Sequence, residues 1–336
     1  MSDFWSQFSK PAPADAVQSN AANQSTLFAI EHKHVLSIAG PDASKFMQGQ
    51  FTCNLKQING QQYSRGAVCS AKGRMVANFD LGQFSDDFLM STQRSLAPVV
   101  LAHLKKYMVF FKCKMQQEDY LQVGLKGPDA HSLLQRQFGL DDTQLTDDFS
   151  QFSFEHGIII KLPFGAGFEI WLQTQHAADN LNILTSECTL STDQHWQTNL
   201  IQAGLGQLDD TLSESLIPQM INLGQTGGIS FNKGCYTGQE IVARMQYLGK
   251  LKRHGYILKL DGQTPLHTGQ DIFTPDHKSP VGSVVNLASL NDGQYVFAVL
   301  EDKYKDAPLC FGEGATATPV QHLPLPYPLT EENDES

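Results

Sequence analysis

Apolar and polar positions change period repeatedly along this chain, and the changes mark its elements. HVLSIA (34–39) and YLQVGLK (120–126) read as strands. Gly157–Pro163 and Phe168–Thr174 flank a glycine-containing turn and predict a hairpin. Tyr107–Met115 (YMVFFKCKM) reads as a mostly buried strand, whereas His176–Ser186 and Gln194–Ala203 have helical spacing. After Lys250 the chain becomes a series of β runs between turns (HGYILKL, QDIFTP, PVGSVVNLA, QYVFAVLE), the rhythm of a small all-β barrel or sandwich. A domain boundary near residue 250 follows.

One repeat organises the first part. Gly40–Phe51 (GPDASKFMQGQF) and Gly127–Phe138 (GPDAHSLLQRQF) are identical at seven of twelve positions, 87 residues apart. Each copy follows a strand-like run. Proline is expected at the first helical position, where its missing N–H costs nothing, and the next residue, aspartate, suits the positive end of the helix dipole. The unit is therefore strand, glycine turn, short helix, used twice, and it predicts a duplicated α+β subdomain.

Composition narrows the class. The chain has 336 residues, 41% hydrophobic and 18% charged, enough for two or three globular domains. No apolar run reaches the roughly 20 residues of a membrane span, and the first residues lack a basic segment followed by an apolar one, so a cytoplasmic location is expected. Residues 1–26 predict a poorly ordered leader, and 329–336 an acidic tail. The cysteines (53, 69, 113, 188, 235 and 310) are scattered without zinc spacing, so no metal site is expected and most should be small buried groups. The net charge of −11 argues against a broad nucleic-acid-binding surface. A local basic face is left open by Lys233, Arg244, Lys250, Lys252, Arg253 and His254, although such a group is more often a solvated face. There is neither a GxGxxG opening a helix after a strand nor a P-loop.

The segment Lys233–Glu240 (KGCYTGQE) carries the chemistry. Thr237 and Glu240 stand at capping-box spacing, and Ile241, Val242, Met245 and Leu248 then recur with helical period. Cys235 is placed near the positive end of that helix with Lys233 close by; both would favour the thiolate. Gly234 and Gly238 allow close backbone approach. A buried structural cysteine in such a turn is an equally reasonable outcome from composition alone.

The stretch GGISFNKGCYTGQEIVAR resembles the signature of the YgfZ family, folate-binding relatives of the glycine-cleavage T-protein. The resemblance extends to MQGQFTCNL (47–55), CSAKGRM (69–75), LKKYMVFFK (104–112), QAGLGQLDD (202–210) and IPQMINL (217–223). It implies an α+β fold: a ring of two related, ferredoxin-like α+β subdomains (27–115 with 195–250, and 116–194) and a C-terminal antiparallel β-barrel (251–328) around a central channel. It also implies tetrahydrofolate or another folate as cofactor, and assistance to iron–sulfur-dependent processes and to modification of some tRNAs, with iron–sulfur tRNA-modifying enzymes as partners. No settled reaction comes with it.

By the same resemblance the octet maps without change. Cys235 and Lys233 would serve a redox or iron–sulfur step, and Tyr236, Gln239, Glu240 and Arg244 would lie toward the cofactor. Of two family tryptophans associated with folate, one falls on Trp196, where an indole can stack on a pterin or benzoyl ring. The other falls on Lys33, which instead could meet folate's glutamate carboxylates. In CSAKGRM, Ser70 stands where relatives can carry an acid. The alternative function is a one-carbon transferase or demethylase like the T-protein, which needs a carboxylate near the folate nitrogen; Asp209 and Asp210 qualify by position. Direct tRNA binding ranks last.

Overall fold

The computed structural model describes residues 24–249, 251–311 and 318–329. Most of the leader, Lys250 and all but the first residue of the acidic tail lie outside the described residues. The chain begins with β1 (Thr26–Ala29), β2 (Lys33–Ala39), α1 (Ala43–Gln48), β3 (Ser64–Cys69), β4 (Met75–Phe84), β5 (Asp87–Gln93), α2 (Ala97–Met108) and β6 (Lys114–Gln117). It continues with β7 (Tyr120–Lys126), α3 (Ala130–Phe138), β8 (Gln151–Phe154), β9 (Gly157–Leu162), β10 (Gly167–Gln173), α4 (Ala177–Asn180), α5 (Asn182–Glu187), β11 (Thr189–Ser191) and α6 (Asp193–Gln202). Then come α7 (Gln239–Tyr247), β12 (Arg253–Leu260), β13 (Asp271–Thr274), β14 (His277–Leu290), β15 (Gly293–Glu301), β16 (Cys310–Phe311) and β17 (Val320–Leu323).

The strands form three sheets, so the class is mixed α+β. The first has the order β3-β4-β5-β2-β6, the second β11-β1-β7-β10-β9-β8. The two sheets share one pairing: β2 and β7 each pair antiparallel with the second strand of a hairpin, β5 and β10. The difference is β1, which inserts beside β7 in the second sheet, although it precedes β2 in the chain. The third sheet, β16-β13-β14-β15-β12-β17, is built entirely after residue 252. The expected hairpin is formed by β9 and β10, and the helices expected at 176–186 and 194–203 are α4 with α5, and α6.

Both repeat copies are strand, glycine turn and helix, but proline does not take the first helical position. Asp42 and Asp129 are the N-caps of α1 and α3, so Pro41 and Pro128 stand one residue outside the helices. Neither aspartate caps its own helix through its side chain. Each is used to hold a neighbouring segment: Asp42 Oδ2 accepts the Lys112 N–H at 2.7 Å, and Asp129 Oδ1 accepts the Ser25 N–H at 3.0 Å. The preceding glycines let those segments approach. Gly40 has φ 113° and a β-carbon there would lie 2.5 Å from the Lys112 carbonyl oxygen; at Gly127, with φ 150°, it would lie 2.4 Å from Ser25 Cα.

The strand expected over Tyr107–Met115 is corrected. Helix α2 runs to Met108, burying Ala97, Val100 and Leu104 at helical spacing, and a turn follows. Only Lys114 and Met115 of the expected strand belong to β6. The apolar run continued the helix period of the residues before it, and its centre, Val109 and Phe110, faces solvent.

The two repeated units meet along a seam. Its core holds Val35 and Leu89 from the first sheet, Ile158, Ile160 and Trp171 from the second, and Trp196 and Leu200 from α6. Helix α6 also packs against β14 and β15, linking the seam to the third sheet. Among the described residues no helix is long and apolar enough to cross a membrane.

Candidate functional site

The KGCYTGQE segment is assembled against the end of α1. Lys233 Nζ donates to three carbonyl oxygens of the MQGQFTC stretch: Gln48 at 2.9 Å, Phe51 at 2.5 Å and Cys53 at 2.8 Å. It also lies 5.0 Å from the centre of the Tyr236 ring. Around this clamp, Thr237 N donates to Gly49 O at 3.2 Å and Ser230 N to Thr52 O at 2.9 Å. Buried Thr52 completes the joint, its hydroxyl donating to Gly228 O at 2.6 Å and accepting from Ala67 N at 2.8 Å. The CSAKGRM turn closes the other side: a β-carbon on Gly238 (φ 84°) would sit 2.5 Å from Ser70 O, and one on Gly73 (φ 69°) 2.7 Å from Ile241 Cβ. Three of the stretches that carried the family resemblance are therefore one packed unit.

That packing overturns the expected capping box. Helix α7 starts at Gln239 with Gly238 as N-cap, because only glycine passes Ser70 O in this backbone conformation. Thr237 instead donates its hydroxyl to Gln50 Oε1 at 3.2 Å, and Gln239 Oε1 accepts the Tyr236 N–H at 3.2 Å. Glu240 and Arg244 are exposed, Val242 is buried, and Leu248, expected on the apolar face, is 84% exposed.

The physical reasons given for a thiolate at Cys235 are also corrected. The Lys233 ammonium is spent on three carbonyls, and Cys235 stands four residues ahead of the first helical residue, beyond the turn where the dipole acts. What distinguishes Cys235 is access. Of the six cysteines it alone is exposed, and a β-carbon on neighbouring Gly234 would meet nothing within 4 Å. Burial pushes the Cys53 thiol up to about 11 and Cys69 up to about 12, so both stay protonated and inert. Among the described residues no group of three His, Cys, Asp or Glu side chains is arranged to hold a metal.

A second polar centre lies inside the seam. Lys33, 2% exposed, donates from Nζ to Glu169 Oε1 at 2.7 Å and to Asp80 Oδ2 at 3.1 Å. Glu169, wholly buried, also accepts two indole N–H groups, from Trp171 at 3.0 Å and Trp196 at 3.2 Å. Arg65 Nε lies 3.3 Å from Asp80 Oδ1, an ion pair too poorly aligned to be a hydrogen bond, so that oxygen has no hydrogen-bond partner. Tyr63 Oη is buried and equally unpartnered; burial, and then Asp80, hold its phenol protonated far above the ordinary value of 10.0. For Lys33, burial disfavours the ammonium, but Glu169 and Asp80 outweigh it and raise the amine above its ordinary 10.5.

Lys33 and Trp196 are thus not a solvent-facing lysine and a ring edging a channel. Both are core side chains converging on Glu169 Oε1, with the Trp196 ring against Phe28 and so close to Gly124 that a β-carbon there would come within 2.5 Å. Neither Asp209 nor Asp210 hydrogen-bonds or ion-pairs with this centre: Asp209 caps a single helical turn by accepting Thr211 N–H, and Asp210 is exposed. The sequence reading missed Asp80, Glu169, Arg65 and Tyr63. For Asp80, Glu169 and Arg65 the signal was a charge inside an otherwise buried strand, as in GFEIWLQ and ANFDLGQF; Tyr63 carried none. Two members of the basic group after α7 have acidic partners: Arg253 lies 2.9 Å from Glu301 and His254 2.7 Å from Asp302.

Two sheets with their helices, joined to a C-terminal antiparallel sheet, are the T-protein class of fold. The GCVT N-terminal domain family matches residues 8–189, and aminomethyltransferase T of the glycine cleavage system from Bartonella henselae superposes with a TM-score of 0.72 at 16% identity, covering 97% of this chain and 91% of that one. At the sequence level, the chain is 32% identical over 96% of its length to the tRNA-modifying protein YgfZ of Klebsiella pneumoniae (strain 342), covering 98% of that protein, and 31% identical to that of Escherichia coli O45:K1, with 96% and 99% covered. The chain belongs to the YgfZ family.

Proposed function

We propose that this chain is a folate-binding accessory protein of the cytoplasm that supports iron–sulfur-dependent steps in the modification of certain tRNAs. One observation carries the folate part. The two positions that the family resemblance associates with folate, Trp196 and Lys33, are far apart in sequence yet converge on a single carboxylate oxygen, Glu169 Oε1. The polar set suits a pterin: Glu169 and Asp80 would accept from its N–H groups, and Asp80 Oδ1 and Tyr63 Oη are buried atoms still lacking partners. The Lys33 chain and the two indoles fill the space beside those carboxylates, so a folate ring enters only with their displacement. A ring of two subdomains and a barrel around a central channel belongs to this same reading.

When bound, a tetrahydrofolate supplies one-carbon or reducing chemistry. The chain's own contribution is to orient the ring against Glu169 and Asp80 and to hold Tyr63 protonated as a donor. The Cys235 loop, pinned by Lys233 to the end of α1, presents the one exposed thiol. Because no group of three ligand-type side chains is arranged among the described residues, Cys235 would meet an iron–sulfur centre as a redox thiol or as one part of an incomplete ligand set, and a partner enzyme would supply the rest. Asp209 and Asp210 make no hydrogen bond or ion pair with the Glu169 centre, Asp209 being engaged in capping a turn, which favours this reading over a one-carbon transferase.

The test is genetic. In a strain deleted for its own family member, wild-type protein is expected to restore iron–sulfur-dependent thiolation of tRNA, measured by nucleoside mass spectrometry, whereas Cys235→Ala restores less than about a tenth. Full restoration by Cys235→Ala at equal protein level would remove the cysteine from the function.

A further inference from the structure

The turn after α2 carries a run of positive charge in this acidic chain. Phe88–Gln117 contains no Asp or Glu and five Lys and Arg, in a protein of net charge −11. Four of these, Lys105, Lys106, Lys112 and Lys114, are exposed and make no ion pair among the described residues. Between them Val109 and Phe110 stand 72% and 87% exposed. An aromatic ring held outward among unpaired lysines is an unusual use of apolar surface, since folding alone would bury it. The turn is nevertheless firmly held. Phe111 packs on Phe46 of α1, ring centres 5.3 Å apart, and Asp42 accepts the Lys112 N–H at 2.7 Å, so the nearby acid is engaged by the backbone.

The location gives the pattern a use. Helix α1 has six residues, about 9 Å at 1.5 Å per residue. Its start is tied to Lys112 through Asp42, and its end is tied to Lys233 through Gln48 O. The lysine–phenylalanine knuckle and the exposed Cys235 loop therefore flank one short helix.

We propose that this knuckle is a docking surface for RNA, with Phe110 stacking on an unpaired base and Lys105, Lys106, Lys112 and Lys114 meeting the adjoining phosphates. Charge complementarity selects a polyanion, and the lone projecting ring among the cations selects one with bases to stack. RNA docked here sits at one end of α1 with the Cys235 loop tied to the other, and the function proposed above does not require such docking. That function guides only the choice of tRNA as the probe, and binding is read without any modification activity, so either idea can fail alone.

The experiment is fluorescence anisotropy of the full chain with end-labelled bulk tRNA and with a labelled single-stranded oligonucleotide, at 50 and 200 mM salt. Binding is expected to weaken steeply with salt. Lys105→Gln/Lys106→Gln/Lys112→Gln/Lys114→Gln should lose it at least tenfold and flatten the salt slope. Phe110→Ala, a solvent-exposed change, should weaken RNA about tenfold while leaving binding of heparin, a polyanion without bases, within twofold. No binding to RNA at 50 mM salt would overturn the proposal. So would equal affinity of the quadruple variant, or equal losses on RNA and heparin in Phe110→Ala, which would mark the ring as a contact for some other partner.

Discussion

Lys33→Met is expected to destabilise the protein by about 3–5 kcal/mol, the range for removing one member of a buried ion pair. The substitution keeps the length of the side chain and removes its charge, leaving Glu169 and Asp80 facing each other without the ammonium between them. Arg65 reaches only Asp80, and two indole N–H groups are a partial substitute at Glu169. The sign with pH follows. In the wild type the Lys33 amine is raised above 10.5, so its contribution is complete below that value and is lost only as pH rises through the folded one. In the variant an unbalanced carboxylate is raised instead, and the folded state binds the extra proton. The variant therefore loses stability as pH rises above about 4. Denaturant melts at pH 5 and 8 measure both effects. Adding Glu169→Gln to Lys33→Met should recover at least half of the loss, because Asp80 then keeps Arg65. A single variant within about 1 kcal/mol of wild type at pH 8 would show that the cluster is not the electrostatic unit described.

Lys233→Met should have the next largest effect, about 2–3 kcal/mol, because three carbonyls lose their common donor and only partly regain water. The damage should be local before it is global. Cys53, 1% exposed, supplies one of those carbonyls, so its labelling by a thiol reagent should accelerate at least tenfold, while exposed Cys235 reacts quickly in both proteins. Burial pulls the Lys233 amine down to about 8, with Cys53 opposing. The unfolded chain holds that proton up to about 10.5, so the wild-type advantage should widen as pH rises from about 8 to 10.5. Unchanged Cys53 labelling in the variant would contradict the clamp.

The parts of this fold that were legible in the sequence are those written locally. The Gly-Pro-Asp turns announced both copies of the repeat, since a glycine at positive φ and a helix-starting aspartate act within a few residues of each other. The β9–β10 hairpin and the C-terminal β runs were legible for the same reason. YMVFFKCKM was misread because a short apolar run has the same look in a strand and in the last turn of a helix, and nothing nearby showed that Phe110 would face solvent. The capping box failed at a longer range: what moved the start of α7 is the carbonyl of Ser70, more than 160 residues away in sequence. The Lys33 centre was the least legible. Its ion pairs span 47 and 136 residues, and a lone lysine at the start of a strand carries no sign that two carboxylates await it.

The same distinction applies to the KGCYTGQE segment. Its residues were recognisable, but the reason Lys233 stands two positions from Cys235 was not. The lysine serves the carbonyls of another loop rather than the thiol, and its work is to hold that thiol outward. Access, not a local charge, sets Cys235 apart from the five other cysteines.

Folate binding at the Glu169 centre is tested most directly by anaerobic titration with tetrahydrofolate, followed by calorimetry and by tryptophan fluorescence. The account predicts saturable binding of one folate per chain with quenching of the indole emission. In Trp196→Phe the quenching should fall sharply, and in Glu169→Gln the affinity should drop at least tenfold while circular dichroism stays native. Absence of heat and of quenching with millimolar tetrahydrofolate, or binding untouched by both substitutions, would contradict it.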